Sequence, residues 1–259
     1  MLIRTSDTQI GTRDAKDRVG ARTRTIAGSV TSGNFCGYFS PAGRRSYYTL
    51  YFVAVFDRPF TTTGTWQDDV VRADTAAAEG GTTYGTEGFP APGKGSGAYV
   101  GFAPGSIVNA RVGISYVSLD NARENLAREQ PANATVESVC RSARAEWNKV
   151  LGQVQVTGGT ETQRRIFYTA LYHSLLHMNV FSDTNGEYRG FDGKVHNVRA
   201  PQRAQYANFS GWDVYRSQVQ LVALLDPRVA SDMAQSLLNQ ATQNNGVWDR
   251  WTHNSGATA

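Results

Sequence analysis

The stretch YYTLYFVAVFDRPF, residues 47–60, decides the fold of the first half of the chain. From Tyr47 to Phe56, aromatic and β-branched side chains occupy both alternating faces, and an Asp-Arg-Pro turn follows them. Alternation on one face is typical of a half-exposed strand, whereas this density predicts a strand covered on both sides. The sequence therefore predicts a layered β structure around this segment.

Three other segments with strand character surround it, at residues 23–31, 98–104 and 107–118. The Thr-, Ala- and Gly-rich region 61–97 has weak periodicity, so we expect long loops or edge strands there. These segments predict a twisted antiparallel β-sandwich over the first 120 residues.

After residue 120, apolar residues recur at spacings of three and four, which is the period of an amphipathic helix. Asp226-Pro227-Arg228 separates the last two predicted helices, which we expect to pack as an antiparallel hairpin ending at Asn245-Gly246. Strands first and helices second predict an α+β chain with segregated regions rather than an alternating parallel sheet. The predicted helices cover residues 133–150, 161–178, 212–225 and 229–242.

Composition excludes several classes of protein. The chain has 259 residues, of which 40% are hydrophobic and 19% charged, and this content is typical of a folded protein. No apolar run reaches the roughly 18 residues that a membrane span needs, and the first residues lack the apolar core of a secretory signal. The net charge of +4 is spread along the chain, so nucleic-acid binding would rest only on a basic isoelectric point. Cys36 and Cys140 allow at most one disulfide.

Two polar segments are candidates for metal or ligand binding. His173 and His177 have the i, i+4 spacing of zinc ligands, but Ser174 stands where the metalloprotease motif has its Glu, which favours packed histidines. The segment 181–196 contains Asp183, Glu187 and Asp192, but Tyr188 stands where a calcium-binding EF-hand loop needs glycine. The segment is therefore either a polar turn-rich loop or a sugar-facing loop, in which Tyr188 and Phe191 offer ring faces.

The segment NFSGWDVYRSQ, residues 208–218, is the third candidate. Ser210 is a predicted N-cap, with Asp213 in the first helical turn, and this role alone would explain both residues. Asp213 and Arg216 are three residues apart, so on a helix they share one face beside Trp212. An aromatic ring, a carboxylate and a guanidinium at a helix N-terminus also suit a ligand site. Residues 249–251 repeat this chemistry.

At these motifs the sequence resembles family 92 of the glycoside hydrolases, which are calcium-dependent, exo-acting α-mannosidases. Residues 32–39, 51–60 and 97–122 resemble the N-terminal β-sandwich of the family, and residues 164–196 and 206–218 are similar to the opening of its (α/α)6 barrel. The resemblance implies a partial β-sandwich domain over residues 1–120, a helical connector over 121–157 and an incomplete barrel over 158–259.

The resemblance implies inverting removal of terminal α-linked mannose, often α-1,2-linked, from a mannose-containing glycan. The catalytic acid, the catalytic base and the calcium ligands of the family lie later in the barrel than residue 259, so we expect no catalytic or metal-binding residue in this chain. Asp213 matches the family position that hydrogen-bonds mannose hydroxyls, and Arg216, Trp212 and Tyr188 are further substrate-binding candidates. We expect a fragment truncated at both ends, inactive alone, from a secreted or cell-surface enzyme.

A second hypothesis keeps the same sugar chemistry without catalysis. The β region and its aromatic residues could form a carbohydrate-binding or interaction module. Protection of the chain against thermal unfolding by millimolar mannose would favour binding, and an unchanged melting temperature would count against it. The sequence does not define an oligomeric state.

Overall fold

The computed structural model describes residues 2–5, 7–10, 24–33, 47–79, 96–248 and 251–252. In the N-terminal part of this described chain, nine strands form two antiparallel sheets. These strands are β1 (Leu2–Thr5), β2 (Asp7–Ile10), β3 (Thr25–Gly33), β4 (Tyr47–Phe56), β5 (Thr62–Gln67), β6 (Val70–Ala73), β7 (Ala77–Glu79), β8 (Ser96–Gly101) and β9 (Ala110–Ser115). One sheet has the order β7-β2-β3-β4-β9, and the other has the order β1-β8-β5-β6.

Strand β4 is covered on both faces, which confirms the prediction for residues 47–56. On one face, Phe52, Ala54 and Phe56 form the core with Val100 of the other sheet and with Phe60. On the opposite face, Val53 packs on Ala122 and Leu126, which belong to a helix described below. Because successive side chains of a strand point to opposite faces, one strand serves both layers.

The region 61–97 contains more regular structure than the sequence suggested. Strand β5 lies between β8 and β6, so it is an interior strand, and the expectation of loops or edge strands is wrong there. Gly64 in this strand leaves room for Tyr99 on β8, because a Cβ atom there would be 2.3 Å from the tyrosine ring. Strands β6 and β7 are edge strands, as expected, and residues 80–95 lie outside the described part of the chain.

The second half of the chain is mainly helical and also contains three two-stranded ladders. The helices are α1 (Leu119–Glu129), α2 (Val136–Leu151), α3 (Glu161–Ser174), α4 (Gly211–Val214), α5 (Gln218–Leu225) and α6 (Pro227–Gln243). The short strands are β10 (Asn179–Val180), β11 (Glu187–Arg189), β12 (Val195–Asn197), β13 (Tyr206–Ala207), β14 (Phe209–Ser210) and β15 (Trp251–Thr252). They pair as β10–β13, β11–β12 and β14–β15.

Helix α1 packs against the outer face of the five-stranded sheet. The Ser118 side chain accepts a hydrogen bond from the Asn121 backbone N–H and caps the helix. Gly113 on β9 allows the close approach of α1, because a Cβ atom there would lie 2.3 Å from the Ala122 carbonyl oxygen. The apolar period predicted no helix before residue 133, although the family resemblance implied a helical connector over residues 121–157.

Helices α2 and α3 form a small pair held by aromatic contacts. The Trp147 and Tyr172 rings meet with their centroids 4.5 Å apart, and the Tyr168 hydroxyl donates to the Val154 carbonyl at 2.9 Å. No residue of α2 is buried among the described residues, so the apolar stripe predicted for residues 133–150 lies on an exposed helix. Helix α3 ends at Ser174, four residues before the predicted end.

The predicted helix 212–225 is wrong, because a turn at residues 215–217 divides it into α4 and α5. The Gln218 side chain donates to the carbonyls of Ser174 and His177, at 3.0 and 2.8 Å, and so ties the start of α5 to the end of α3. These long-range bonds fix the start of α5 independently of α4.

Helices α5 and α6 pack together around Val222 and Met233, as predicted for the last pair of helices. Asp226 caps α6 by accepting from two backbone N–H groups. Beyond the helix, Asn245 and Gly246 have positive φ angles, which confirms the predicted stop.

The cysteines and the helix lengths each bear on one prediction made from the sequence. Cys140 is an exposed free thiol, whereas Cys36 lies outside the described residues. A search of the described residues found no helix with the length and apolar character that crossing a membrane requires.

Gly113→Ala tests the contact between α1 and the sheet. The added methyl group would displace the α1 backbone, so we expect a loss of about 1–3 kcal/mol in the free energy of unfolding, measured by chemical denaturation. Val112→Ala is the control on the same strand, because its side chain is 47% exposed, and it should cost about 0.5 kcal/mol or less. Equal losses for the two variants would show that the α1 contact is not tight.

Candidate functional site

Asp213 lies on the surface at the start of α4. Ser210 donates a hydrogen bond from its hydroxyl to the Asp213 carboxylate, with an Oγ–Oδ2 distance of 2.5 Å. Ser210 occupies the N-cap position of α4, as predicted, but its side chain makes no capping bond to the helix backbone. The Ser210 bond orients one Asp213 oxygen and leaves the other oxygen of an exposed carboxylate to accept hydrogen bonds.

Trp212 and Arg216 flank this carboxylate in the sequence, and both are exposed. Arg216 lies in the turn after α4 with its guanidinium 5.4 Å from the Tyr215 ring centroid. The described residues include no ion pair between Arg216 and Asp213, and the helix that was expected to align them ends at Val214. Arg216 therefore lacks the helical support that the sequence predicted.

The chain returns to this place at its end. In the β14–β15 ladder, Ser210 is opposite Trp251 and Phe209 is opposite Thr252. The ladder thus brings the backbone of Trp251, from the second aromatic and charged segment, beside Ser210. Asp249 and Arg250 lie outside the described residues, and Trp248 just before them is exposed.

Tyr188 occupies a different part of the molecule. It lies on β11, where its ring packs with Phe181 and Ala207 and stacks on the His196 ring at a centroid distance of 5.7 Å. Its hydroxyl accepts a hydrogen bond from Gln243 Nε2 on α6 at 3.0 Å. Tyr188 is therefore buried, whereas the other three predicted binding residues are exposed.

A cavity of about 700 Å³ lies between the β11–β12 hairpin, the segment after it and one face of α6. None of Trp212, Asp213 and Arg216 contributes to its wall. Most of the lining side chains are polar but uncharged. The lining residues are Tyr188, Val195, His196, Asn197, Arg199, Ala200, Pro201, Gln202, Ser231, Asp232, Gln235, Leu238, Asn239, Thr242 and Gln243.

Hydrogen bonds from the sheet and from α1 hold the carboxylates of residues 183 and 187. Asp183 is buried and accepts hydrogen bonds from Ser115 at 2.6 Å and from Asn121 and Asn125 at 2.7 Å each. Glu187 accepts a further bond from Asn121 at 2.8 Å. This part of the candidate sugar-facing loop therefore faces α1 and the sheet rather than a ligand.

The described residues do not form a metal site. They contain no group of three or more His, Cys, Asp or Glu side chains that could hold an ion. His177 lies beyond the end of α3, so it shares no helix face with His173. Asp192 instead pairs with His196, at 2.9 Å between Oδ1 and Nε2.

Sequence reasoning missed the partners of Asp183. Asn121 and Asn125 are buried polar residues on α1, and their spacing of four places both on the face that packs against the sheet. Two buried amides on one helix face are a signal in principle, because such groups require hydrogen-bond partners. The sequence alone does not indicate that the partner is Asp183, about 60 residues later in the chain.

Comparison with known protein families gives the class first. Residues 1–115 match the model of the glycosyl hydrolase family 92 N-terminal domain, and residues 121–259 match the model of the glycosyl hydrolase family 92 catalytic domain. Both halves of the chain thus have the sequence features of glycoside hydrolases. The chain belongs to glycosyl hydrolase family 92.

Solved structures of similar fold include two enzymes from Bacteroides thetaiotaomicron. One is a family 92 inverting mannosidase, with a TM-score of 0.75 and 24% identity. The other is a family 92 α-mannosidase, with a TM-score of 0.72 and 23% identity. Each match covers 98% of this chain and 31% of the mannosidase, so the chain spans about a third of their length.

A curated relative from Arthroderma benhamiae is an uncharacterized secreted glycosidase. It is 31% identical over 81 residues, which cover 30% of this chain and 10% of the relative. At this coverage, the match does not define a substrate.

Burial raises the pKa of the Tyr188 phenol, and the hydrogen bond from Gln243, which favours the phenolate, offsets part of this effect. The unfolded chain therefore releases this proton first. The stability contributed by neutral Tyr188 is fully present below about pH 10 and is lost as pH rises through the folded-state pKa. The free energy of unfolding, measured by urea denaturation, should fall as the pH rises from 9 to about 11.5. We expect this fall to be smaller for Tyr188→Phe than for the unmodified chain.

Tyr215→Phe is the control, because Tyr215 is 55% exposed. It should follow the curve of the unmodified chain. Parallel curves for the unmodified chain and Tyr188→Phe would show that the Tyr188 hydroxyl is not protected by burial.

Proposed function

We propose that this chain is the sugar-binding part of an exo-acting α-mannosidase, which removes terminal α-linked mannose, in particular α-1,2-linked mannose, from glycans. The observation that carries the proposal is membership of family 92 over both halves of the chain. The similar mannosidase structures share its fold. The division into a β-sandwich over residues 1–120, a connector over 121–157 and the start of an (α/α)6 barrel over 158–259 is part of this proposal.

Asp213 is the residue that we propose for contact with mannose. An exposed carboxylate accepts hydrogen bonds from two adjacent sugar hydroxyls, and the Ser210 bond holds it in one orientation before substrate arrives. Trp212 beside it would supply a ring for the apolar face of the sugar, and Arg216 would donate to hydroxyl oxygens. Tyr188 is buried and lines the cavity beside α6, whose wall does not include Asp213, so we assign it to that cavity.

Inverting hydrolysis requires an acid and a base roughly 6.5–9.5 Å apart, with a water molecule between the base and the sugar. The carboxylates of Asp183 and Glu187 are held by hydrogen bonds from Ser115 and Asn121, so we do not assign them as this pair. We propose that the acid, the base and the calcium ligands come from polypeptide outside residues 1–259. Calcium-dependent release of mannose from α-1,2-mannobiose by these 259 residues alone would contradict this assignment.

A non-catalytic carbohydrate-binding module is the second candidate function. The polar cavity beside α6 favours it, because that cavity could hold a sugar without any catalytic carboxylate. The two candidates predict different results when the chain is joined to the remainder of a family 92 enzyme. The mannosidase proposal predicts that hydrolysis is regained, and the binding-module proposal predicts that it is not. The secreted relative supports export of the enzyme, which we include in the proposal.

Asp213→Ala tests the proposed sugar contact in a complete enzyme that contains this chain. Loss of a carboxylate that binds mannose hydroxyls should lower kcat/KM on α-1,2-mannobiose by at least about tenfold, or about 1.4 kcal/mol of transition-state binding. Asp69→Ala is the control, because Asp69 is an exposed carboxylate in the turn between β5 and β6. Unchanged kinetics for Asp213→Ala would remove this residue from the substrate site.

A further inference from the structure

The cavity beside α6 has a wall of hydrogen-bonding groups already held in place. The Asn239 amide donates to the side-chain oxygens of Gln202 and Gln205, at 3.1 and 2.9 Å, and accepts from Gln235 at 2.9 Å. Gln243 bonds to the Tyr188 hydroxyl at 3.0 Å. Because these amides are fixed in the folded chain, a ligand would not have to order them.

The carboxylate and the guanidinium in the wall differ in whether they have an ionic partner. Asp232 is 97% buried, and the Arg203 side chain donates to its carboxylate at 2.9 Å from both Nε and a terminal nitrogen. The Arg199 backbone carbonyl accepts from the Gln202 N–H at 3.0 Å. Its guanidinium has no hydrogen bond or ion pair with any residue that the structure describes. A guanidinium has five N–H donors and no acceptor, so Arg199 can bind the oxygen atoms of a guest in the cavity.

An aromatic surface completes the wall. The His196 ring lies on buried Tyr188 at an interplanar angle of 27°, and about a third of the His196 side chain is exposed. Gly190 leaves room for this ring, because a Cβ atom there would lie 2.6 Å from it. The ring therefore forms a supported aromatic patch at the edge of the cavity.

These features together match a sugar better than other small ligands. Sugar hydroxyls both donate and accept hydrogen bonds, as amide side chains do, and the C–H face of a sugar packs on a ring. Within the described wall the only carboxylate is neutralised by Arg203, which disfavours a cationic ligand. A volume of about 700 Å³ lies in the range of small-molecule sites.

We propose that the cavity between the β11–β12 hairpin and α6 is a second carbohydrate subsite. It binds a sugar residue of the glycan through Arg199, the amide network and the His196 ring, apart from the contact at Asp213. The inference rests on the proposed function for the identity of the glycan. Its geometry is independent of Asp213, which does not contribute to the cavity wall.

Calorimetric binding of α-1,2-mannobiose to the 259-residue chain tests the proposal. Arg199→Ala removes one group of the wall, and Ser231→Trp fills the cavity from an exposed lining position. Arg228→Ala is the matched control, because it removes the same charge from an exposed position in the first turn of α6 outside the wall.

We expect Arg199→Ala to raise Kd about fivefold or more, and Ser231→Trp to abolish binding in the cavity. Arg228→Ala should stay within about twofold of the unmodified chain. Asp213→Ala should lower affinity independently, with effects that add to those of Arg199→Ala. The melting temperature of each variant shows whether it is folded. Because the two cavity variants change different positions, one of them still tests the cavity if the other does not fold.

Unchanged binding in both cavity variants would overturn the inference, as would the absence of saturable binding up to about 20 mM mannobiose. If only Asp213→Ala weakens binding, the second subsite is wrong and the proposed Asp213 contact stands. If only the cavity variants weaken binding, the subsite stands and the Asp213 contact fails. Competition by inorganic phosphate at millimolar concentration would identify an anion site and overturn the sugar assignment.

Discussion

The buried carboxylate of Asp183 is the interaction on which the rest of the structure depends. Ser115 from the five-stranded sheet and Asn121 and Asn125 from α1 all donate to it. A buried charge is costly unless hydrogen bonds satisfy it, and here donors from two earlier elements do so. One side chain of the helical half thus joins the sheet and the helix that covers it.

The anchoring of this loop on α1 also determines which side chain of the β11–β12 hairpin faces α6. Glu187 bonds back to Asn121, so the next residue along β11, Tyr188, points to the opposite face, toward α6. The cavity beside α6 is therefore a consequence of how the loop is anchored. The Asp213 end is built separately, by the Ser210 bond and by the return of the chain in β15. Two polar surfaces with different supports result, and both suit hydroxyl-rich ligands.

Local sequence pattern was enough for elements whose own side chains form the core. The density of aromatic and β-branched side chains on both faces of Tyr47–Phe56 predicted a strand covered on both faces, and the period of residues 229–242 predicted α6. Local sequence pattern was not enough for elements whose ends depend on contacts with residues far away in the chain. The break before Gln218 depends on carbonyls of Ser174 and His177, and no local pattern reveals them. Similarly, Asp213 and Tyr188 were both binding candidates in the sequence, but strand pairing and packing against α6 bury Tyr188 and leave Asp213 exposed.

A double-mutant cycle between Asp183 and Asn125 tests the central role of this carboxylate most directly. The unfolding free energies of Asp183→Ala, Asn125→Ala and the double variant are compared with that of the unmodified chain. If the bond between them joins the two halves as described, the coupling energy should be about 1 kcal/mol or more, because each single change strands a buried partner. A coupling energy near zero would contradict the account.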